Sequence, residues 1–272
     1  ETLSNTFFLK ILKKNSKNII ILSEKKNNIL FNLSKKLNLF YIEHNSFIGG
    51  RYSVLSEVGI IPAYLMGIDI YKLRSKILFP LSAKYSNILK DSSIKLANIF
   101  FSKEVKNLIF LNYSPKLEKF LYWCQQLIAE SLGKNNKGLL PVISNVPKDH
   151  HSLLQLYLDG PKDKLFIIFS LEENLQDVIK TNNISKEISF LNNKKLSKVK
   201  EAQMKALAKA FKKNKISFRE FKIKDSKENI LGKLFSYFML ETIILAKFLN
   251  INPYNQPAVE QIKIYSKNFL HK

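Results

Sequence analysis

A single cysteine, Cys124, occurs in 272 residues. No internal disulfide can form and no cysteine pair is available to a metal centre, so a reduced, cytoplasmic setting is expected; no secretory signal is visible either. Glycine and proline are scarce, eight of each, which excludes collagen-like, linker-rich and low-complexity chains. Long apolar runs are also lacking. The most apolar stretch, residues 234–249, contains Glu241 and Lys247 and falls short of the ~20 residues that cross a bilayer; it is expected to be a buried core helix, with no membrane partner. Acidic residues are outnumbered, 22 against 44 lysines and arginines, for a formal net charge of +22. That excess by itself points to nucleic acid or an anionic membrane. The lysines are spread along the whole chain and travel with abundant Asn, Ile and Phe, so no nucleic-acid partner is expected. What is present is a 46% hydrophobic chain, ordinary for a globular protein and long enough for one or two domains with buried cores. It opens on Glu1 and enters a helical pattern with no leading strand, so the natural N-terminus is expected upstream.

Strand-like and helix-like segments alternate. Residues 18–22 (NIIIL), 39–42, 107–113 (NLIFLNY), 138–143 and 164–169 (KLFIIF) read as strands, and 218–223 alternates like a strand near a sheet edge. Helices are expected over 28–37, from about Ser53 to Tyr64 with Pro62 bending or ending it, and over 82–103, 116–132, 197–213 and the remainder of the chain. In the 197–213 helix, Val199, Ala202, Ala206 and Ala210 fall on one stripe at helical spacing. Apolar strands that do not alternate, separated by helices, indicate a parallel sheet covered on both faces. The fold class is therefore α/β, doubly wound, with no solenoid repeat.

Ligands in such folds bind at the carboxyl ends of strands, in the loops leading to helices. Four motifs stand out. Gly49-Gly50-Arg51-Tyr52-Ser53 places a permanent cation beside two glycines that allow close backbone approach, or is a plain turn with a surface arginine. Glu130 ends a helix that carries Gln125 and Gln126; it is a general base if its surroundings tune it, or a solvated helix-end carboxylate. Residues 149–161 hold His150 and His151, two of only four histidines, in what reads as a loop. Adjacent histidines do not match zinc spacing, but one could be an acid/base; capping polarity is the other reading. Residues 252–260 (NPYNQPAVE), followed by Lys263, read as a rigid turn with Pro257 at the first position of a helix.

In this order the motifs resemble the glucose-6-phosphate isomerase family: GGRYSVLSEVGIIPAYL its first signature, QLIAESLGK…GLLPV its glutamate segment, HSLLQLYLDGP its histidine segment, and LGKLFSYFMLETIILAKFLNINPYNQPAVEQIK its C-terminal helix and second signature. The resemblance implies three-layer α-β-α sandwiches with parallel sheets of the sugar-isomerase type. Residues 1–80 would be the remainder of an incomplete first domain, 81–228 a second domain, and 229–272 C-terminal helices packing back on the first. The implied activity is interconversion of glucose 6-phosphate and fructose 6-phosphate through an enediol(ate). By residue-to-residue matching, Glu130 would be the proton-transfer base, Arg51 the cation beside the enediolate, and His151, not His150, the ring-opening histidine assisted by Lys263. Gln126 and Gln256 would hold sugar hydroxyls or phosphate, and Gly50 would permit close backbone approach. No metal, nucleotide or other cofactor is implied. A homodimer is, with the histidine reaching into the neighbouring subunit's site. Two departures are visible. Glu1-Thr2-Leu3-Ser4-Asn5 resembles the segment directly after the family's phosphate loop, so that loop is expected upstream of Glu1, and Asn255 stands where the family usually has Asp. A non-catalytic sugar-phosphate-binding module of the same fold is the competing reading; it would be expected to lose Glu130 or Arg51 first, and both are present.

Overall fold

Asn28 starts the first helix among the described residues: its Oδ1 accepts the Phe31 N–H at 2.9 Å from an extended backbone, and Lys35 and Lys36 close the last turn. This helix, α1 (Ile29–Lys36), links β1 (Ile20–Ser23) to β2 (Phe40–Glu43), which pair in parallel from Ile20↔Phe40 to Ser23↔Glu43. The computed structural model describes residues 18–173, 176–181 and 186–271, and the chain divides between Arg74 and Ser75 into two units. After β2 the first unit contains a 3₁₀ turn (Gly50–Leu55), α2 (Glu57–Leu65) and α3 (Ile70–Arg74). The sequence predicts one helix over 53–64. Instead the chain breaks at Ser56, which is extended, and Pro62 sits inside α2 without ending it. Proline at this interior position removes one ladder hydrogen bond.

The second unit begins with α4 (Ala83–Ser102), after which come β3 (Asn107–Asn112), α5 (Glu118–Leu132), β4 (Leu140–Asn145), α6 (Lys148–Asp159) and β5 (Lys164–Leu171). A small antiparallel pair, β6 (Val178–Ile179) with β7 (Lys194–Lys195), precedes α7 (Leu196–Lys213), β8 (Phe218–Ile223), α8 (Glu228–Phe248) and α9 (Pro257–Leu270). Four strands form one parallel sheet in the order β4-β3-β5-β8. Its centre is dry: Phe110, Leu111, Ile167 and Phe169 are fully buried. One face, with Ile109, Leu111, Phe166 and Ile168, packs on Tyr157 of α6 and Leu207 and Phe211 of α7. The other, with Phe110 and Phe169, meets Phe120 of α5 and Phe238 of α8. Helices cover both faces, as the non-alternating strands require. The outer strands differ from the inner ones: β4 carries Pro141, and β8 carries Arg219, Glu220 and Lys222.

Two sequence expectations are corrected. Residues 149–161 are not a loop; all but the last two form most of α6, entered directly from β4 through Val146 and Pro147. The buried stripe of α7 consists of Met204, Leu207, Ala208 and Phe211, while Ala202 and Ala206 are exposed. The larger side chains decide which face turns inward, because an alanine gains little by burial.

Helix α8 is the one helix among the described residues long and apolar enough to cross a membrane, at a mean hydropathy of 1.3. Its midpoint shows what it does instead. Glu241, 2% exposed, takes both guanidinium nitrogens of Arg219 on β8, NH1 at 2.7 Å and NH2 at 2.8 Å. Ser92 of α4 donates to Glu241 at 2.8 Å and accepts from Arg219 at 2.8 Å, and Tyr237 donates at 3.0 Å. Burial pushes the Arg219 pKa down, but the Glu241 carboxylate outweighs it and the net shift is upward. Removing one partner strands a buried charge. Glu241→Ala is therefore expected to cost about 3–5 kcal/mol in denaturant unfolding, and Arg219→Met combined with Glu241→Leu far less. Equal losses in the two variants would show that the pair does not act as a unit.

Candidate functional site

In the first unit, the loop after β2 is held by His44, whose Nδ1 contacts Glu57 Oε1 and whose Nε2 lies 2.8 Å from the Ile48 carbonyl. Burial raises the Glu57 pKa, but hydrogen bonds from its own backbone, His44 and Asn45 outweigh this and leave it lowered. The 3₁₀ turn beyond this loop is closed by Ser53 Oγ donating to the Gly50 carbonyl at 2.7 Å. Helix α2 lies so close to this turn that a Cβ on Gly59 would sit 2.1 Å from the Val54 carbonyl oxygen. Arg51 in this turn is 3% exposed, its guanidinium 5.5 Å from the Tyr52 ring. Gly50 is different: among the described residues, a Cβ there meets no atom within 4 Å.

In the second unit, α5 buries Cys124, Leu127, Ile128 and Ser131. That orientation leaves Gln126 exposed and Glu130 half-buried on the outer side, with Gln126 Nε2 donating to Glu130 Oε1 at 2.9 Å. Just beyond the helix, Lys134 donates to the Asn252 carbonyl at 2.5 Å and Lys137 to the Leu249 carbonyl at 2.7 Å. Glu130 and the 249–256 segment therefore share one edge of the sheet. It is the amino edge, because α5 runs back along β3 and delivers the chain to the start of β4. Glu130 therefore stands away from the carboxyl ends of the strands. Gln256 sits exposed at the start of α9, and Lys263 pairs with Glu260 at 2.6 Å on that helix, which buries none of its residues.

The histidines lie at the opposite edge, in the first turn of α6 just past the end of β4. His150 is half-buried, with Nε2 3.2 Å from the Tyr113 hydroxyl, and burial holds its pKa below the ordinary value, Asp149 opposing. His151 is exposed. The length of β4, about 17 Å at ~3.3 Å per residue, lies between the Glu130 edge and the His151 edge. The structure thus brings Glu130, Gln126 and the 249–256 segment together, and keeps His151 away from them within one chain. Arg51 and Gly50 belong to the first unit.

The sequence reading passed over Glu173. It lies just past β5 at the carboxyl edge, taking Lys200 at 2.6 Å and the Ser114 hydroxyl at 3.1 Å. Burial raises its pKa, but Lys200, Ser114 and Lys116 outweigh this and lower it. An acidic residue immediately after an apolar strand was the available signal.

No family model matches the chain. It is 35% identical over 265 residues to a glucose-6-phosphate isomerase of Mycoplasmopsis synoviae (strain 53), covering 92% of this chain and 59% of that relative. It is 32% identical over 280 residues to a probable glucose-6-phosphate isomerase of Methanococcus maripaludis, covering all of this chain and 62% of the other. The chain thus spans about three-fifths of the length of these curated relatives. Among solved structures, a hypothetical protein from Thermus thermophilus superposes with a TM-score of 0.86 at 24% identity, over 98% of this chain and 67% of that one. A glucose-6-phosphate isomerase from Chlamydia trachomatis does so with 0.77 at 14%, over 99% and 55%. These two likenesses carry the α/β fold.

His150 ties the stability of the fold to pH. A histidine whose pKa is lowered on folding adds stability that is whole above its ordinary value of 6.5 and is lost as pH falls below it. His150→Gln is expected to flatten the acid side of the stability profile measured from about pH 5 to pH 8.

Proposed function

We propose, on the premise that the chain belongs to the glucose-6-phosphate isomerase family, that it carries the catalytic groups of an aldose–ketose isomerase interconverting glucose 6-phosphate and fructose 6-phosphate. The observation that carries the reading is the Glu130 carboxylate, turned outward and held by Gln126 beside the 249–256 segment. A carboxylate so placed can take a proton from C2 of the open aldose. Electrons then shift to give a cis-enediolate, a proton passes from the C2 oxygen to the C1 oxygen, and returning the first proton at C1 leaves the ketose, with no net redox change. Arg51, which cannot act as a base at working pH, stabilises the enediolate oxygen without competing for the proton. Gly50, where a Cβ would meet no atom of the described residues within 4 Å, lets the sugar approach the backbone. His151 and Lys263 open the ring, and Gln126 and Gln256 hold hydroxyls or phosphate. No metal or other cofactor has a part in these steps.

The active form in this reading is a cytoplasmic homodimer. The separation of Glu130 and His151 along β4 supports it: one chain cannot supply both to one substrate, but a two-fold partner can. In the same reading, residues 1–80 belong to a first sugar-isomerase domain and 81–228 form the second. A non-catalytic binding module would have no need of Glu130 and Arg51 together.

Turnover of fructose 6-phosphate by the full-length protein, followed in a coupled assay, tests this. Glu130→Gln is expected to lower kcat by about 10³-fold or more while leaving the fold intact; an unaffected rate removes Glu130 as the base. Mixing inactive Glu130→Gln and His151→Asn proteins, with subunit exchange, is expected to restore about a quarter of the parent activity, from hybrids with one intact site. No restoration would mean that both groups serve one chain's site.

A further inference from the structure

The chain leaves β3 toward β4 through α5 on one face of the sheet, and leaves β5 toward β8 through α7 on the other. The two loops diverge, which opens a crevice at the carboxyl ends of β3 and β5, the place where sheets of this kind bind ligands. None of the groups assigned to isomerisation lines it. The crevice has a volume of about 570 Å³, with Tyr113, Leu171 and Met204 at its base, a size suited to a small metabolite. Around it stand, among the described residues, Lys195, Lys198, Lys200, Lys205, Lys222 and Lys224, against three glutamates, Glu172, Glu173 and Glu201.

Two of the carboxylates are already committed. Glu173 is taken by Lys200 at 2.6 Å, and Glu201 by Lys198 at 2.9 Å and Lys205 at 2.7 Å. Lys195 donates to the neutral side-chain oxygen of Gln176, at 3.0 Å. Lys222 reaches Glu220 at 2.9 Å on its own strand, with 64% of its side chain exposed. The crevice therefore keeps a positive surplus with walls on several sides, which concentrates an anion more than a flat lysine face does. It is not built for single-stranded nucleic acid. Such sites stack bases on exposed aromatic rings, and among the described residues the only aromatic one lining this crevice, Tyr113, is 1% exposed.

We propose that this crevice is a second ligand site, distinct from the isomerase groups, that binds a small molecule through a phosphoryl or diphosphoryl group. Lys222 and Lys224, at the end of β8, and Lys195, before α7, supply the charge; Lys200 and Glu173 fix the shape of the entrance. Binding here does not depend on Glu130, which lies at the other edge of the sheet.

The test is calorimetric titration of the full-length protein with inorganic pyrophosphate and, separately, inorganic phosphate. Saturable binding with one site per chain is expected for pyrophosphate. The Lys222→Ala/Lys224→Ala double variant is expected to weaken it about tenfold or more with an unchanged thermal midpoint, and Glu130→Gln to leave it unchanged. Saturation by inorganic phosphate as well would mark a single-phosphoryl site; pyrophosphate alone would mark a diphosphoryl one. Undiminished affinity in the double variant, or a titration that never saturates, overturns the proposal. A single-stranded RNA oligonucleotide that binds more tightly than pyrophosphate, and loses its binding in the same variant, overturns it in favour of a nucleic-acid surface.

Discussion

Edge strand β8, helix α8 and helix α4 are joined by one buried bidentate pair, Arg219 with Glu241, to which Ser92 and Tyr237 add neutral hydrogen bonds. A sheet edge needs such a tie, because an outer strand has only one neighbour to hold it. The consequences run further than β8. With α8 anchored at its midpoint, its end at Phe248 is fixed, and the segment beyond it is placed to accept hydrogen bonds from Lys134 and Lys137. Those two lysines come directly after the helix that presents Glu130. The position of that carboxylate thus depends, through three links, on a charge pair on the face of the sheet. The same pair bears on Cys124, whose thiol pKa is pushed well up by burial and by the Glu241 charge; the one cysteine of the chain is fully buried packing and chemically quiet.

The polarity of a parallel sheet sorts the remaining groups. Every strand points the same way, so each helix that returns along the sheet delivers its last turn to the amino edge, and each helix that leaves a strand opens at the carboxyl edge. Glu130 is in a last turn and His151 in a first turn. Their separation is set by chain direction and needs no special device.

Much of this was legible in the sequence. Unbroken apolar runs at 107–113 and 164–169 gave the central strands, and alternation at 218–223 gave an outer one, because burial on two faces or on one writes a different pattern. Pro257 marked the first turn of the last helix. The misses share a cause. The break at Ser56, the helical state of 149–159 and the inward face of α7 depend on what packs against each segment: Val54 against Gly59, Tyr113 against His150, and the sheet against Leu207 and Phe211. Local propensity does not contain those partners. The Arg219–Glu241 pair was equally out of reach, since nothing in either residue's neighbourhood of sequence names the other. At the candidate site, the motifs did not tell on which edge of the sheet Glu130 and His151 would stand, because that is set by the course of the helices that carry them.

The outer strands carry a last consequence. A row of unsatisfied backbone groups at a sheet edge invites another strand to add to it, which is how sheets polymerise. Here one edge, β4, contains Pro141, which has no N–H to offer. The other, β8, sets Arg219, Glu220 and Lys222 along its length. The four-stranded sheet therefore ends on both sides in strands poorly suited to extension. Open-ended strand addition at either side of this sheet is thereby disfavoured.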